Sequence, residues 1–315
     1  MKNSFEDFVR EINEELHRSS EEIQPWHSFW THRPTKNFPP SSIRYPDDYD
    51  GSDRVNIICT QTDLSASQQK KLVQEWCRVL PTFENVRFLW FNSRVSQNLF
   101  EAACEMENLI GLYIKWSGIK SIDSVRKLKN LRFLHFGSSP SAAPLDSLGE
   151  LPKLEWLELE NIRAASDLVF LRDFTDLKGL SVSGDTNSLK DLTADSLKPL
   201  ENLQKLYWLS LYAFKTKDGS LMPLVMLGSL RYLFLSNNFK MEEYAKLAGA
   251  RPDIECDRLR PISDVLTNFT CKKCEQNRMV MLIGKGKPFL CIDCDEARIA
   301  KHVDAFIEIA ENNRS

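Results

Sequence analysis

The middle of the chain carries a short apolar pattern that recurs at a nearly constant interval. Three apolar positions with the spacing L-x-x-L-x-L occur seven times between residues 86 and 235. The seven sets are Val86/Leu89/Phe91, Leu109/Leu112/Ile114, Leu131/Leu134/Phe136, Leu154/Leu157/Leu159, Leu177/Leu180/Val182, Leu206/Leu209/Leu211 and Leu230/Leu233/Leu235. Successive sets begin 22 to 24 residues apart, except that the fifth unit is 29 residues long. This register predicts a repeat architecture and differs from the heptad of a coiled coil.

Each unit predicts one short strand followed by a return segment. The last two apolar residues of a set lie two positions apart, so both side chains point to the same face of a strand. The rest of the unit returns through a helix or looser turn, in which residues such as Leu168 and Leu171 face the same core. Because one unit cannot bury its apolar face alone, neighbouring units must stack. The strands are therefore expected to form a parallel sheet.

These units resemble the leucine-rich-repeat family over roughly residues 54–255. The resemblance implies an α/β fold: a right-handed solenoid with a parallel sheet on its concave side. The Asn that often follows the strand in this family occurs here only as Asn238. Arg94, Ile162 and Phe214 stand at equivalent positions and cannot satisfy the turn backbone in the same way, so irregular turns are expected. The long fifth unit predicts a bulging loop over residues 184–188.

The flanks of the repeats divide the chain into three predicted regions. Residues 1–53 combine an amphipathic helix over 4–17, two tryptophans (Trp26 and Trp30) and a proline-rich strap over 31–53. The helix could dock on its own chain, dimerise or hold a partner. Residues 54–256 form the solenoid, with a strand near residue 55 and a helix opened by the capping box Ser65–Gln68 as its N-terminal cap. Residues 257–315 form a separate small module.

The small module carries four cysteines in two C-x-x-C pairs. Cys271, Cys274, Cys291 and Cys294 match the four soft ligands of a tetrahedral zinc ion, so we expect one structural Zn²⁺. A hairpin turn at 284–286 and a helix after the second pair make the segment similar to a treble-clef zinc finger. His302, on that helix, is expected to be exposed rather than a substitute ligand. The other cysteines, which are Cys59, Cys77, Cys104 and Cys256, are expected to be small buried hydrophobic residues.

The strand positions that alternate with the buried ones form a predicted surface, which we call the concave face. Nine of its 21 positions, three in each of seven strands, are Phe, Trp or Tyr, whereas aromatics make up 10% of the whole chain. Large aromatics that stay exposed mark interaction surfaces. The candidate protein-binding residues are Phe88, Trp90, Tyr113, Phe133, His135, Trp156, Trp208, Tyr212, Tyr232 and Phe234.

The aromatic character of the concave face has a second explanation. The N-terminal helix and the proline-rich strap could fill the groove within the same chain, using Trp26 and Trp30, because indole rings are costly to leave in water. Both explanations can hold for different parts of the groove.

Composition narrows the classes of partner. The net charge of −3 and the pI near 6.0 favour neither nucleic acid nor an acidic membrane. No segment approaches the roughly 20 apolar residues of a membrane span. The first residues include Glu6 and Asp7 and no apolar run, so they are not expected to form a signal peptide. The eight cysteines then fit thiols or metal ligands, and a cytoplasmic location is expected.

These observations favour a non-enzymatic scaffold that binds another protein on its concave face. In small bacterial chains this design also resembles immunity proteins, which would make the partner a protein to be inhibited. The alternative is nucleic-acid binding through the zinc module, where Lys272, Lys273 and Lys285 cluster, although Asp293 and Asp295 lie beside them. An enzyme is disfavoured: the sequence lacks P-loop, G-x-S-x-G and H-E-x-x-H motifs. The triplet 291–293 matches the Cys-x-Asp of bacterial repeat-containing ubiquitin ligases, but too few residues follow the repeats for their catalytic domain.

Overall fold

The main sheet follows the order of the repeats. The structure is a computed structural model that describes residues 27–30, 38–188 and 190–314, and nine parallel strands of these residues form this sheet. The strands of the described chain are β1 (Ser42–Ile43), β2 (Arg54–Ile57), β3 (Phe88–Phe91), β4 (Gly111–Trp116), β5 (Phe133–Ser138), β6 (Trp156–Glu160), β7 (Gly179–Ser183), β8 (Leu192–Ala194), β9 (Trp208–Leu211), β10 (Phe214–Thr216), β11 (Tyr232–Leu235), β12 (Met279–Met281) and β13 (Phe289–Cys291). The sheet order is β1-β2-β3-β4-β5-β6-β7-β9-β11. A parallel α/β solenoid is therefore confirmed.

The register aligns equivalent leucines of successive units. Leu134 pairs with Leu157, Leu157 pairs with Leu180, and Leu180 pairs with Leu209. All four side chains are completely buried in one continuous core. Burying a leucine side chain contributes about 1.5–3 kcal/mol. The stacked leucines are thus the main source of cohesion between neighbouring repeats.

The return segments become less helical along the solenoid. The helices of the described chain are α1 (Ala66–Val79), α2 (Gln97–Ala103), α3 (Met241–Ala250) and α4 (Glu296–Glu311). From β4 onward the return segments between the repeat strands are short 3-10 turns. These are Asp123–Lys127, Asp146–Glu150, Arg163–Ser166, Leu168–Leu171, Lys198–Leu200 and Met222–Met226. Each contributes at least one buried apolar or small side chain, with Leu171 as an example. The expected looser turns therefore replace helices over most of the solenoid.

Buried serines satisfy much of the turn backbone. Ser93 accepts hydrogen bonds from the backbone N–H groups of Cys59 and Thr60, both at 3.2 Å. Ser117 and Ser139, in the next two turns, share a hydrogen bond between their hydroxyls. Further along, Asn161 and Ala213 adopt left-handed backbone conformations with φ near 49° and 47°. The turns are irregular, as expected, and Ser93 supplies the polar group that the neighbouring Arg94 does not.

The N-terminal end of the solenoid is closed by α1 and by an additional strand. Ser65 caps α1 with the expected capping box: Gln68 N–H donates to Ser65 Oγ at 3.4 Å, and Ser65 N–H donates to Gln68 Oε1 at 3.0 Å. The buried Trp76 of α1 donates its indole N–H to the Arg44 carbonyl at 2.9 Å. The strap contributes β1, which pairs with β2 at the sheet edge and was not expected from the sequence.

The extra residues of the fifth unit, which follow β7, lie outside the main sheet and include the predicted loop. An antiparallel bridge joins Asp185 to Lys190, and Asp185 Oδ1 accepts hydrogen bonds from the N–H groups of Asn187 and Ser188. Strand β8 then pairs with β10 in a second, two-stranded sheet. Because β8 lies outside the main sheet, β7 pairs directly with β9.

The cysteine module packs against the C-terminal end of the solenoid. Ile283, from the loop of the β12–β13 hairpin, and Phe306, from α4, belong to the same buried core as the repeat leucines. The loop is tied to the end of the repeats because Lys285 N–H donates to the Phe239 carbonyl at 2.6 Å. Helices α3 and α4 touch so closely that a Cβ at Gly249 would lie 2.0 Å from the Ala310 carbonyl oxygen. Helix α3, which follows the last repeat strand, is thus itself covered by the module.

Part of the predicted N-terminal region lies outside the residues that the structure describes. The amphipathic helix over 4–17, Trp26 and residues 31–37 of the strap lie outside the described residues. Within the described ranges, the helices are all too short or too polar to cross a bilayer.

Candidate functional site

The strand register gathers the candidate residues of the concave face into two neighbouring rows. The first row runs Phe88, Gly111, Phe133, Trp156, Gly179, Trp208 and Tyr232 across successive strands. The second row runs Trp90, Tyr113, His135, Glu158, Ser181, Ser210 and Phe234. Tyr212 lies just beyond the end of β9. The structure therefore brings the predicted residues together on one surface.

Two glycines make room for the large rings of this surface. A Cβ placed on Gly179 would lie 2.2 Å from the Trp156 ring, and one placed on Gly111 would lie 2.5 Å from the Phe88 ring. Because real Cβ atoms do not approach so closely, each ring lies flat across the neighbouring strand only where that strand carries glycine. The two glycines of the first row are therefore a packing requirement of the Phe88 and Trp156 rings.

Residues of the same chain cover the first half of the concave face. Phe29 stacks on Phe133 with ring centroids 3.6 Å apart, and Trp30 meets Trp90 edge-on at 5.6 Å. Phe38 also meets Trp90 edge-on, at 4.7 Å. As a result Trp90 is only 2% exposed, and Phe29 and Trp30 are buried as well. The self-covered arrangement considered from the sequence is present here, with Phe29 and Phe38 acting beside Trp30.

A buried carboxylate lies at the centre of the covered region. Glu158 is 6% exposed and accepts three hydrogen bonds. Trp156 Nε1 donates to Oε1 at 2.7 Å, His135 Nδ1 donates to Oε2 at 2.9 Å, and the Ser28 hydroxyl also donates to Oε1. Tyr113 stacks on the His135 ring at 4.3 Å. Burial of a carboxylate is tolerated only with such partners, so Glu158 ties the covering segment to the sheet.

The second half of the concave face stays open to solvent. Tyr212 is 48% exposed and Phe234 is 39% exposed, while Tyr232 is half-buried. Phe234 packs against Trp208 with ring centroids 5.5 Å apart. Beside these rings lies a cleft of about 310 Å³, whose wall includes the exposed carboxylates of Glu255 and Asp257. The open part of the face is thus an aromatic shelf next to a polar rim.

The structure separates the ten candidate residues into covered and open groups. Trp90, Trp156 and Trp208 are buried, and Phe88, Tyr113, Phe133, His135 and Tyr232 are half-buried. Tyr212 and Phe234 are exposed. The sequence interpretation did not include Ser28, Phe29, Phe38 or Glu158 in the site. The adjacent aromatic pair at 29–30 was the signal that could have indicated the covering segment.

The four module cysteines form a compact cluster. Their sulfur atoms all lie within 4.8 Å of one another. Cys271 Sγ lies 3.9 Å from Cys294 Sγ, and Cys274 Sγ lies 3.6 Å from Cys291 Sγ. Four sulfurs at about 2.3 Å from one tetrahedral ion would be about 3.8 Å apart. The spacing of the cluster therefore fits a single zinc ion.

Within the cluster, backbone N–H groups favour the thiolate form of Cys271. The N–H of Cys274 and that of Lys273, which points at Cys271 Sγ at 3.4 Å, lower the pKa of the Cys271 thiol to about 7. By contrast, burial raises the pKa of Cys59 to about 12 and that of Cys256 to about 11. Cys59 and Cys256 are therefore protonated and inert at neutral pH, whereas the Cys271 thiol lies in surroundings that favour its thiolate form.

His302 does not lie on an exposed helical surface, contrary to the expectation from the sequence. It is buried, and its Nε2 is 3.0 Å from the Pro261 carbonyl oxygen. Burial lowers the pKa of its imidazole. The side chain joins α4 to the segment before the first cysteine pair, and that tertiary contact leaves no trace in local sequence periodicity.

Comparisons with known proteins give structural matches at low sequence identity. No family model matches the sequence, and no curated protein is similar to it in sequence. Among solved structures, an internalin C2 from Listeria monocytogenes aligns with 56% of this chain and 72% of its own, at 19% identity and a TM-score of 0.44. An internalin (inlF) from the same organism aligns with 56% of this chain and 54% of its own, at 18% identity and a TM-score of 0.40.

Proposed function

We propose that the protein is a cytoplasmic, non-enzymatic scaffold that binds another protein through the open end of its concave face. The observation that carries this proposal is the exposure of Tyr212 and Phe234 at the end of an aromatic surface whose other rings are buried or half-buried. Neighbouring aromatics on the same face are covered by the chain itself, whereas these two rings remain in water. Tyr and other aromatic residues dominate the energetics of protein interfaces.

The polar groups of the concave face support a binding role over a catalytic one. Ser28, Glu158 and His135 lie together. A serine, a histidine and an acidic residue form the catalytic triad of many hydrolases. However, Ser28 and His135 both donate to the carboxylate of Glu158. A nucleophile needs a base as its hydrogen-bond partner, with the acid behind that base. Here the carboxylate occupies the central position, so the three residues act as an anchor.

The basic residues of the module offer little support for the nucleic-acid alternative. Lys273 pairs with Asp295 at 3.0 Å, and Arg278 pairs with Asp293 at 2.6 Å. Affinity for nucleic acid rests on cations that neutralise phosphates. Since these two cations already have carboxylate partners, the protein-binding proposal is the stronger one.

The binding proposal is tested with a double substitution in the open end. Tyr212→Ala with Phe234→Ala is expected to weaken the partner by about 2 kcal/mol or more, or roughly 30-fold, because it removes both exposed anchors. The partner is first captured from lysate of the native cells on immobilised protein and identified by mass spectrometry. Its affinity for each variant is then measured by calorimetry.

Two exposed apolar residues on the return segments provide the matched control. Val169→Ala with Met226→Ala removes as many exposed apolar side chains from the other side of the solenoid. These variants should bind like the wild type. Equal affinity of the partner for all proteins would remove the open end of the concave face as the binding site.

The cysteine cluster is proposed to hold one structural Zn²⁺ in a treble-clef-like module. Zinc supplies a crosslink among four thiolates, and the sulfur spacing supports that role. Elemental analysis of protein purified without chelator should find about one zinc per chain. Cys271→Ser with Cys294→Ser should bring this value close to zero, whereas Cys256→Ser, which lies outside the cluster, should leave it unchanged. A cluster variant that retains full zinc would contradict the assignment.

A further inference from the structure

The covered half of the concave face resembles a peptide-binding site that is already occupied by residues 28–30. Residues 28–30 supply one hydroxyl and two aromatic rings to a surface formed by repeat-strand residues together with Phe38 of the strap. Phe29 lies on Phe133, and Trp30 lies between Trp90 and Tyr113, with centroids 5.6 and 5.5 Å away. The sheet thus offers a fitted place for each side chain of this short segment.

The hydrogen bonds at this site are supplied mainly by the sheet. Glu158 is held in place by Trp156 Nε1 and His135 Nδ1, both of which come from repeat strands. Ser28 adds the third hydrogen bond from the covering segment. The carboxylate is therefore preorganised by the sheet and presents one acceptor position to whatever lies above it.

The covering segment is packed separately from the core of the solenoid. Phe29 and Trp30 form a cluster with Trp90, Trp156 and Trp208 that is distinct from the continuous leucine core. Leu157, next to Trp156 in sequence, belongs to that other core. Departure of the segment would consequently expose the concave face without opening the stack of repeats.

The segment also fits the site imperfectly. The indole Nε1 of Trp30 is buried and has no hydrogen-bond partner among the described residues. A buried donor without an acceptor destabilises the state that contains it. A ligand that placed its rings equally well and satisfied every donor would bind the same surface more tightly.

We propose that residues 28–30 are a resident ligand of the concave face, and that the same site accepts a partner segment with a hydroxyl residue followed by two aromatics. This inference rests on the proposed binding function and extends it: the partner engages the open end first and then competes with the resident segment for the covered half. Because the resident segment is tethered, its effective concentration is on the order of millimolar, and it blocks weak external peptides.

The test uses the full chain and a defined probe, the acetylated and amidated tetrapeptide His-Ser-Phe-Trp, which copies residues 27–30. Phe29→Ala with Trp30→Ala vacates the site, and this variant should bind the peptide at least about 10-fold more tightly than the wild type does, because the tethered competitor is gone. The probe His-Ala-Phe-Trp should bind the vacated variant roughly 10-fold more weakly, since it cannot donate to the Glu158 carboxylate. Affinities are measured by isothermal titration calorimetry.

Two further variants keep the result interpretable. Ser28→Ala removes one hydrogen bond and should raise peptide affinity by a few-fold while the protein stays folded, which checks the proposal without emptying the site. Val169→Ala should bind the peptide as the wild type does. A folded vacated variant that binds no peptide would overturn the proposal. The proposal would also be overturned if the vacated variant unfolded and Ser28→Ala bound the peptide no more tightly than the wild type. The segment would then be an indispensable part of the core. Neither outcome involves Tyr212 or Phe234, so the proposed function is judged separately.

Discussion

Removal of the proposed zinc ion with a strong chelator is expected to unfold the cysteine module and loosen the C-terminal end of the solenoid. Structural zinc contributes about 10–16 kcal/mol in small zinc modules, which is comparable to the whole stability of a typical domain. The hairpin β12–β13 buries Val280 and Leu290, and Ile283 and Phe306 reach the repeat core. Loss of the metal should therefore expose α3 and β11. Hydrogen exchange followed by mass spectrometry reports protection of each segment.

The expected loss of hydrogen-exchange protection decreases with distance from the cysteine module. Solenoid repeats are stabilised mainly by their nearest neighbours, so β2 to β4 should keep their protection when the module unfolds. The Cys271→Ser and Cys294→Ser variant should reproduce the effect of the chelator, and Cys256→Ser should respond to the chelator as the wild type does. Full protection of β12 and α4 in metal-free protein would mean that their packing on α3 suffices without a crosslink.

The solenoid could be predicted from sequence because its determinants are local and repeated. The alternation at Leu157 and Leu159, followed by the same alternation one unit later, specifies both the strand and its buried face. The equivalent leucines are then paired in the sheet, as in Leu157 with Leu180. The four cysteines were predictable for a similar reason, since each C-x-x-C pair is a local pattern and their sulfurs do converge.

The covered part of the concave face could not be specified by local patterns. Ser28 and Glu158 are 130 residues apart in sequence, and their contact depends on where a non-repeating segment crosses the sheet. The sequence indicated that indole rings near residue 30 would need cover, but not which strands would provide it. A carboxylate on a strand face also suggests exposure, whereas Glu158 is buried by its three donors. Burial of His302 against Pro261 escaped prediction for the same reason.

Leu209 and Ser210 are adjacent on β9 but face opposite sides of the sheet, so an aspartate at each position should have very different effects on stability. Leu209→Asp is expected to unfold the repeats at 25 °C. Leu209 is 0% exposed and lies between Leu180 and Leu233 in the core. Loss of the leucine side chain costs about 2–5 kcal/mol, and burial of an unpaired carboxylate costs several more. The sum approaches the 5–15 kcal/mol by which a typical domain is stable, so roughly complete loss of the folded state is expected.

Ser210→Asp introduces the same carboxylate one position along β9, where the side chain faces the opposite side of the sheet. Ser210 is half-buried and lies on the concave face beside Phe234, with access to water. A carboxylate that keeps part of its hydration has a small effect, so the free energy of unfolding should fall by about 1 kcal/mol or less. Urea denaturation followed by circular dichroism measures both variants. If Leu209→Asp unfolded at the same urea concentration as Ser210→Asp, position 209 would not point into the shared core, and the stacking of leucines would not be what joins the repeats.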